Sequence, residues 1–382
     1  MSKFLYISPT GIDFNQLDGV QKKIINQSKA FVGFGYDVDI LTFFDDSIVL
    51  YNVKEGHSIK VAKGRSKTGV LRNVHKVIKG YVGVYIRYPM SDMFLIQALR
   101  AIKRYGIPVV LEIPTFPYDT ENRHSIKGKV ITFLDVHYRK KLKRYVDRIC
   151  TYSDDRMIFG IPTINTINGI DFSNYEPDYS DVDFHQCINL IAVSGMYVVH
   201  GYDRLIKGLG NYYASGGDRN IVLHVVGSGV VDNQYKELVE QLQMKNHVVF
   251  HGKKFGVDLL ELYKGQALGV NSLAIHRANL VNESTLKTKE YAALGLPVIS
   301  SSYVDAFSHE GNEKYALRVP PDETDIDINT LVEFVDILYS EPVGEVRKNI
   351  RADAKSVCDM SITLKPVLDY FEIAKQKNYE ST

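Results

Sequence analysis

The stretch NESTLKTKEYAALGLPVISS, residues 282–301, combines a polar segment, a helical pattern, a turn and a short apolar strand. Asn282 or Ser284 is placed to cap the helix. Gly295 is placed to end it, just before the apolar residues 298–300. A short helix that leads directly into a buried strand is typical of proteins with a parallel sheet. The stretch therefore predicts an α/β fold.

Three charged residues share one face of the predicted helix. Glu283, Lys287 and Glu290 are spaced i, i+4 and i+7, so their side chains are expected to point the same way. One interpretation is a solvent-exposed face with a single ion pair. The other is a ligand site, because α/β proteins bind anions and sugars where a helix begins beside a buried strand.

The same stretch resembles a known enzyme family. EYAALGLPV is similar to the donor-site signature of glycosyltransferase family 4, which comprises retaining enzymes of the GT-B fold. In that signature two Glu residues have seven residues between them. The second maps onto Glu290 and the first onto Asn282, with Glu283 one position later. The segment TLKTKEY resembles a subgroup that assembles bacterial capsular and other surface polysaccharides.

The composition of the whole chain narrows the class of protein. A length of 382 residues suits two domains, and a net charge of +1 argues against a dedicated nucleic-acid binder. Three cysteines that are far apart fit a reducing cytosol. The N-terminus lacks a signal-peptide pattern, and no apolar run approaches the roughly 20 residues that span a bilayer. We therefore expect a cytoplasmic protein.

Strands and helices alternate along both halves of the chain. Strands are predicted at 4–7, 37–42, 82–87, 109–113, 148–151 and 163–167, and again at 188–193, 221–226, 248–251, 267–270, 298–301 and 316–319. This pattern predicts two Rossmann-like domains, with the linker in the polar run 176–186.

The predicted domains are an N-terminal acceptor domain, residues 1–178, and a C-terminal nucleotide-sugar donor domain, residues 186–360. The resemblance to family 4 implies that their sheets face each other across a cleft. It also implies that a last helix, residues 361–382, returns to the N-terminal domain. The amphipathic spacing of apolar residues in this segment suits that role.

Two candidate site residues lie in the N-terminal half. Gly19 stands before a predicted helix, where a bare backbone can approach a phosphate. Glu112 lies near the carboxyl end of a predicted strand, where α/β sheets bind ligands. Glu112 is interpreted either as a catalytic carboxylate or as a buried acid held by hydrogen bonds, and Gly19 either as a donor-binding residue or as a plain turn glycine.

Further candidates follow the strands of the C-terminal half. Gly195 and His200 lie in SGMYVVHG after the first strand, at the position where many family 4 enzymes have an Arg and a Lys that grip the diphosphate. His200 replaces the Lys. Arg277 is a candidate to supply the missing guanidinium, the alternative being an ordinary surface Arg. Gly227 begins a G-x-G turn that fits the nucleotide-domain turn of the family.

The resemblance implies transfer of a sugar from a nucleotide-sugar to an acceptor hydroxyl, with no metal and no cofactor. The leaving diphosphate would be stabilised by Lys287, His200 and the amides of Ser284, Thr285 and Leu286. Glu290 would hold the ribose and Glu283 the sugar. Catalytic roles fall to Glu283, Glu112 and His200, while the diphosphate accepts the acceptor proton.

Two other functions remain open. A nicotinamide-dependent oxidoreductase would need a complete glycine-rich fingerprint, which neither half contains. A non-catalytic sugar-nucleotide-binding protein would fit the missing Arg and the shifted Glu. The sequence also leaves open the nucleotide base (UDP or GDP), the sugar, the acceptor and the linkage.

A basic segment suggests a membrane partner. The resemblance implies a lipid-linked glycan as acceptor, so we expect peripheral contact with the inner face of the cytoplasmic membrane. The densest positive cluster comprises Lys140, Lys141, Lys143 and Arg144. The competing interpretation is a core helix with a solvated basic face, in which the apolar positions are Val130, Phe133, Leu134, Val136 and Leu142.

Overall fold

The computed structural model describes residues 2–118, 126–281 and 283–380. The described chain forms two compact units: one runs to Asn168 and resumes at Met360, and the other spans Gly169–Asp359. The second unit therefore begins before the predicted linker at 176–186. The physical reason lies in two contacts of the intervening segment. Tyr175 donates a hydrogen bond to Glu290, and Arg351 donates one to the carbonyl of Phe172.

The N-terminal unit is built on one large sheet. Its strands are β1 (Lys3–Ile7), β2 (Asp37–Phe44), β3 (Ser47–Asn52), β4 (His57–Lys63), β5 (Tyr81–Arg87), β6 (Val109–Ile113), β7 (Arg148–Thr151), β8 (Met157–Ile158) and β9 (Ile161–Asn165). The order is β4-β3-β2-β1-β5-β6-β7-β9-β8. The six central strands, β2, β1, β5, β6, β7 and β9 in sheet order, pair parallel with one another. The edge strands β3, β4 and β8 pair antiparallel.

Helices cover this sheet, as expected for parallel strands that are buried on both faces. They are α1 (Gly19–Gly33), α2 (Lys67–Val77), α3 (Met93–Lys103) and α4 (Ile126–Arg139). Asp18 caps α1 by accepting from the amide of Gln21, whose side chain in turn accepts from the amide of Asp18. This reciprocal pair satisfies two amides that the helix itself leaves unpaired and so fixes its first turn.

The C-terminal unit has a smaller sheet in which all strands are parallel. Its strands are β10 (Ile188–Val193), β11 (Ile221–Val226), β12 (Val248–Gly252), β13 (Leu268–Val270), β14 (Val298–Ser300) and β15 (Ala316–Arg318), in the order β12-β11-β10-β13-β14-β15. This is the strand order of Rossmann sheets. Successive strands are added on one side of β10 up to β12 and on its other side from β13 onwards. Rossmann sheets bind ligands at this reversal of the strand order, between β10 and β13.

The helices of this unit are α5 (Tyr202–Ala214), α6 (Asp232–Gln241), α7 (Gly256–Tyr263), α8 (Leu286–Ala293), α9 (Ile328–Leu338) and α10 (Val343–Cys358). The core between helices and sheet is apolar and closed. Leu190, Leu205, Leu223 and Leu268, for example, are fully buried. Burial of this kind is the main favourable contribution to folding.

The last helix, α11 (Met360–Glu380), belongs to the N-terminal unit. Its residues Leu364, Val367, Leu368 and Phe371 are buried in the core that contains α1. The ring of Phe371 meets that of Phe4 on β1 edge-on, at 4.9 Å between centroids. In the part of the chain that the structure describes, no helix is long and apolar enough to cross a bilayer.

Candidate active site

The candidate site lies at the carboxyl ends of β10, β11, β13 and β14 in the C-terminal unit. Two glycines bring the loop after β10 and the loop after β11 into backbone contact. A Cβ on Gly227 would lie 1.8 Å from the carbonyl oxygen of Ser194, and one on Gly229 would lie 1.7 Å from that of Gly195. No side chain fits at either position. The loop that contains Gly195 is therefore held against the G-x-G turn.

A polar network spans the loops after β13 and before α8. Asn271 donates to one carboxylate oxygen of Glu283 at 2.9 Å, and Ser272 donates to the other at 3.2 Å. Lys287 donates to the hydroxyl of Ser272 at 3.3 Å. Burial lowers the pKa of Lys287, and the nearby Glu283 carboxylate opposes this effect, so that the pKa is about 8. The network places one carboxylate and one ammonium at the point where the strand order reverses.

The position of Glu283 corrects the predicted helix. α8 begins at Leu286, and Thr285 is its N-cap residue with an extended backbone. Glu283 therefore precedes the helix and shares no helical face with Lys287. The two residues nevertheless meet through Ser272 because the loop folds back over the end of β13. Asn282, which the family signature aligns with the first Glu, lies outside the described residues.

A buried ion pair supports the same loop. Lys289 is fully buried and donates to Asp305 and, at 3.0 Å, to the hydroxyl of Ser284. Ser284 also donates to Asp305. Thr285 donates to the side-chain oxygen of Asn271 at 3.2 Å. Ser284, Thr285 and Leu286 are therefore fixed at the start of α8, where a helix presents amides without intrahelical partners.

α8 is also bound to the sheet through a tyrosine. The hydroxyl of Tyr291 accepts from the amide of Val193 at 3.0 Å and donates to the carbonyl of Val270 at 3.3 Å. Glu290, the neighbouring residue, accepts from Tyr175 at 2.9 Å. Glu290 thus contacts Tyr175, whereas Glu283 contacts Asn271 and Ser272.

His200 is neutral in this environment. Burial and the nearby charge of Lys287 lower the pKa of His200 to about 3. The Nδ1 atom accepts from the amide of Tyr197 at 3.0 Å, so the ring proton of the neutral form is on Nε2. The ring stacks on Tyr202 with 5.6 Å between centroids. His200 can therefore donate a hydrogen bond, but it does not replace the positive charge of a Lys.

The structure places Arg277 in an ion-pair network. Its guanidinium donates to both carboxylate oxygens of Asp203 at 2.8 Å, and also to Glu323. A phosphate at this position would have to displace one of the two carboxylates. Because the planar donors are already matched to acceptors, we do not include Arg277 in the proposed donor site.

Of the two interpretations of Glu112, a catalytic carboxylate or a buried acid held by hydrogen bonds, the structure supports the second. It is fully buried and accepts from Gln27 at 2.8 Å, Tyr152 at 2.6 Å and Arg87 at 3.0 Å, while Lys23 lies 3.3 Å away. Burial raises the pKa of Glu112, but the charges of Lys23 and Arg87 outweigh this effect and lower the pKa to about 2.

A carboxylate with so many partners is a poor proton acceptor, so the predicted catalytic role of Glu112 is not supported. The other candidate of the N-terminal unit, Gly19, is the first residue of α1. A Cβ on Gly19 would meet no atom within 4 Å. Its proposed phosphate contact stays a prediction.

Several residues of the site were missed from the sequence. Asn271 and Ser272 follow β13, and Ser300 and Ser302 surround the end of β14, where Ser300 accepts from Asn271 at 2.9 Å. Polar residues directly after apolar strands were the available signal, since the carboxyl ends of parallel strands form the ligand-binding edge. Lys289 and Asp305 gave no such signal, because their pairing depends on the tertiary fold.

The G-x-G turn differs from a dinucleotide fingerprint. Asp232 stands where the third glycine would be, and its carboxylate accepts from the amide of Gly229 at 2.8 Å. A carboxylate at this position repels a pyrophosphate, which argues against a nicotinamide dinucleotide at the start of α6. Among the described residues, no group of three or more His, Cys, Asp or Glu side chains is arranged to hold a metal ion.

Comparison with known proteins relates part of this unit to a known family. A family model described as "Glycosyl transferases group 1" matches residues 188–335. No match was found among curated proteins. Among solved structures, Anabaena Alr3699/HepE in complex with UDP superposes with a TM-score of 0.63 at 15% identity, over 97% of this chain and 99% of that chain.

Two further structures are similar over nearly the whole length. Sucrose-phosphate synthase from Thermosynechococcus elongatus gives a TM-score of 0.62 at 15% identity, over 100% of both chains. A glycosyltransferase from Rickettsia africae gives 0.64 at 14% identity, over 98% of both. The chain thus has the GT-B fold, and its residues 188–335 match the model of group 1 glycosyl transferases.

Proposed function

We propose that the protein is a retaining glycosyltransferase that uses a nucleotide-sugar donor. The observation that carries the proposal is the network of Glu283, Asn271, Ser272 and Lys287 at the reversal point of the Rossmann sheet. It combines a carboxylate that can accept from sugar hydroxyls with an ammonium that can bind a diphosphate. Both groups lie beside the first turn of α8, whose amides favour anions.

Each residue has a role in this proposal. Lys287, the Nε2–H of His200 and the amides at the start of α8 stabilise the leaving diphosphate as its charge develops. Glu290 holds the ribose hydroxyls, and Glu283 holds the sugar. The bond between the anomeric carbon and the diphosphate breaks, the acceptor oxygen bonds to the same face of that carbon, and the diphosphate takes the acceptor proton.

Two features of the proposal concern the donor and the metal. The structure of HepE was determined with UDP-glucose, so UDP-sugars are the first donors to compare, beside GDP-sugars. A ligand that binds the folded state raises the melting temperature, and a thermal-shift series therefore ranks the donors. We propose that protein groups alone neutralise the diphosphate, so transfer assays are run in EDTA and with added Mg²⁺.

The proposed acceptor is a lipid-linked glycan in surface-polysaccharide assembly at the inner face of the cytoplasmic membrane. The resemblance of TLKTKEY to the capsular subgroup supports this acceptor. Transfer to an extracted lipid-linked glycan distinguishes the proposal from a non-catalytic binding protein, which would bind the donor without turnover.

We expect Lys287→Ala and Glu290→Ala each to lower kcat/KM for the donor about ten- to hundredfold, the effect of losing a charged hydrogen-bonding partner. Steady-state transfer assays measure the effect. Lys264→Ala is the matched control for Lys287, because Lys264 is an exposed lysine paired with Glu261 on α7. Tyr175→Phe is the control for Glu290: an equal loss in that variant would mean that Glu290 acts only through its bond to Tyr175.

The pH dependence of donor binding follows from the pKa of Lys287. An anionic donor binds the ammonium form, so affinity is constant below the pKa of about 8 and falls above it by about tenfold per pH unit. Isothermal titration calorimetry from pH 6 to 10 measures this. Lys287→Arg keeps its charge and should remove the decline. A decline centred near pH 6.5, the usual His value, would instead implicate a histidine.

A further inference from the structure

Helix α4 of the N-terminal unit turns its apolar stripe towards solvent. Val130, Phe133 and Leu134 are spaced i, i+3 and i+4 and are 53%, 72% and 40% exposed. Ile131 is a further exposed apolar residue beside them. The apolar stripe of a surface helix normally faces the core. Of the two interpretations of this segment, the core helix is therefore not supported for Val130, Phe133 and Leu134.

The orientation of α4 is fixed by a polar residue on its inner face. Asp135 is fully buried and accepts from Tyr118 at 2.8 Å, from the hydroxyl of Tyr88 and from the amide of Ser91. Rotation of the helix to bury the apolar stripe would break these bonds and leave a buried carboxylate unpaired, which is costly. The exposed stripe is thus a stable feature of the unit.

Basic residues surround the stripe. Lys127 and Lys129 precede it, and the exposed side chains of Lys140, Lys141, Lys143 and Arg144 follow. The acidic residue of segment 126–144 is Asp135, and it is buried. Leu142 is fully buried and anchors the turn Leu142–Arg144, which keeps these cations beside the end of α4. Within segment 126–144, the surface therefore combines exposed apolar side chains with exposed positive charge.

We propose that this surface, called the α4 surface and comprising Val130, Ile131, Phe133, Leu134 and the six basic residues around them, docks onto an anionic lipid bilayer. Apolar side chains enter the boundary between headgroups and acyl chains, while lysines and arginine contact the lipid phosphates. Charge complementarity favours a bilayer over a second copy of the chain, because two copies would bring like charges together.

The proposal deepens the proposed function, on which its role rests, because a lipid-linked acceptor is found at the surface where α4 would dock. Docking itself needs neither donor nor acceptor, and it can be measured alone. If vesicle binding follows the expectation below and no nucleotide-sugar stabilises the protein, the proposed function fails while the α4 surface stands.

Flotation of the full-length protein with vesicles tests the docking. Binding is expected to phosphatidylcholine vesicles that contain phosphatidylglycerol, to weaken as salt is raised, and to be much lower with phosphatidylcholine alone. The triple variant Val130→Ser, Phe133→Ser, Leu134→Ser should lose about tenfold or more in vesicle partition. Reversal of Lys140, Lys141, Lys143 and Arg144 to Glu should give a similar loss.

A matched control uses exposed apolar residues of the other unit. Val230→Ser, Phe255→Ser, Val257→Ser removes side chains that are 73%, 68% and 72% exposed, and it should bind vesicles like the parent. Thermal unfolding verifies that all variants fold. Equal binding to neutral vesicles, or full binding by the α4 triple variant, would overturn the proposal. So would a lipid-free dimer that the α4 triple variant dissociates, because the surface would then join two copies.

Discussion

Asp305→Ala is expected to lower the free energy of unfolding of the C-terminal unit by about 3 kcal/mol or more, because it leaves Lys289 as a buried charge without its counter-ion. Lys289 is fully buried and pairs with Asp305 in a site that also holds the hydroxyl of Ser284. Urea denaturation, followed by a probe in this unit, measures the change. Donor affinity should fall as well, since the Glu283–Thr285 loop loses its anchor.

A second variant separates stability from donor binding. Lys289→Met removes the charge and keeps an apolar chain of similar length, so it should cost less stability than Asp305→Ala. Both variants release Ser284 from Lys289 or Asp305, and both should weaken donor binding. Glu323→Ala breaks an ion pair of an exposed carboxylate and should change stability by less than about 1 kcal/mol. A loss in Lys289→Met that equals the loss in Asp305→Ala would contradict the account.

The Rossmann character of the C-terminal unit could be predicted because its strands are short apolar runs between glycine-containing turns. The predicted segments 188–193 and 221–226 coincide with β10 and β11, and 298–301 differs from β14 by one residue. These strands are buried on both faces, so their sequences alone are apolar enough to be recognised. The antiparallel hairpin β3–β4 was missed, because β4 is mostly exposed and reads as a polar segment.

The candidate site could be predicted only in part, because local spacing does not fix tertiary contacts. The helical spacing pointed to Lys287 and the family signature to Glu290, both on α8. Neither could locate the start of a helix only eight residues long. Glu283 was therefore placed on the wrong element. Lys289, which lies between Lys287 and Glu290 in sequence, is fully buried. A short helix packed on a sheet has an inner face, and charge patterns do not reveal which residues lie on it.

Arg277 and α4 are two further cases in which the local sequence did not determine the environment of a side chain. The sequence favoured Arg277 as a phosphate ligand, but Asp203 and Glu323 come from distant segments and already occupy its guanidinium. The apolar spacing in α4 left a core helix and a membrane-facing helix open, and the hydrogen bonds of Asp135 to residues of other segments turn that stripe outward. In both cases partners that are remote in sequence decide the environment.

Gly227→Ala is expected to destabilise the C-terminal unit by about 3 kcal/mol or more, since it combines backbone strain with a steric clash. Gly227 has φ of +125°, and its Cβ would lie 1.8 Å from the carbonyl oxygen of Ser194. The loops after β10 and β11 would have to separate, which would move Gly195 and His200 away from Lys287. Urea denaturation and donor titration measure the two consequences.

Gly216→Ala is the matched control because Gly216 also has a positive φ, +87°, but no atom lies within 4 Å of its Cβ position. It should show the backbone cost alone, on the order of 1 kcal/mol, and leave donor affinity unchanged. The difference between the two variants therefore measures the contact between the loops. If Gly227→Ala were no more destabilising than Gly216→Ala, that contact would be dispensable. The arrangement of Gly195, His200 and Lys287 would then have to be maintained by the ion pair of Lys289 and Asp305 at the start of α8.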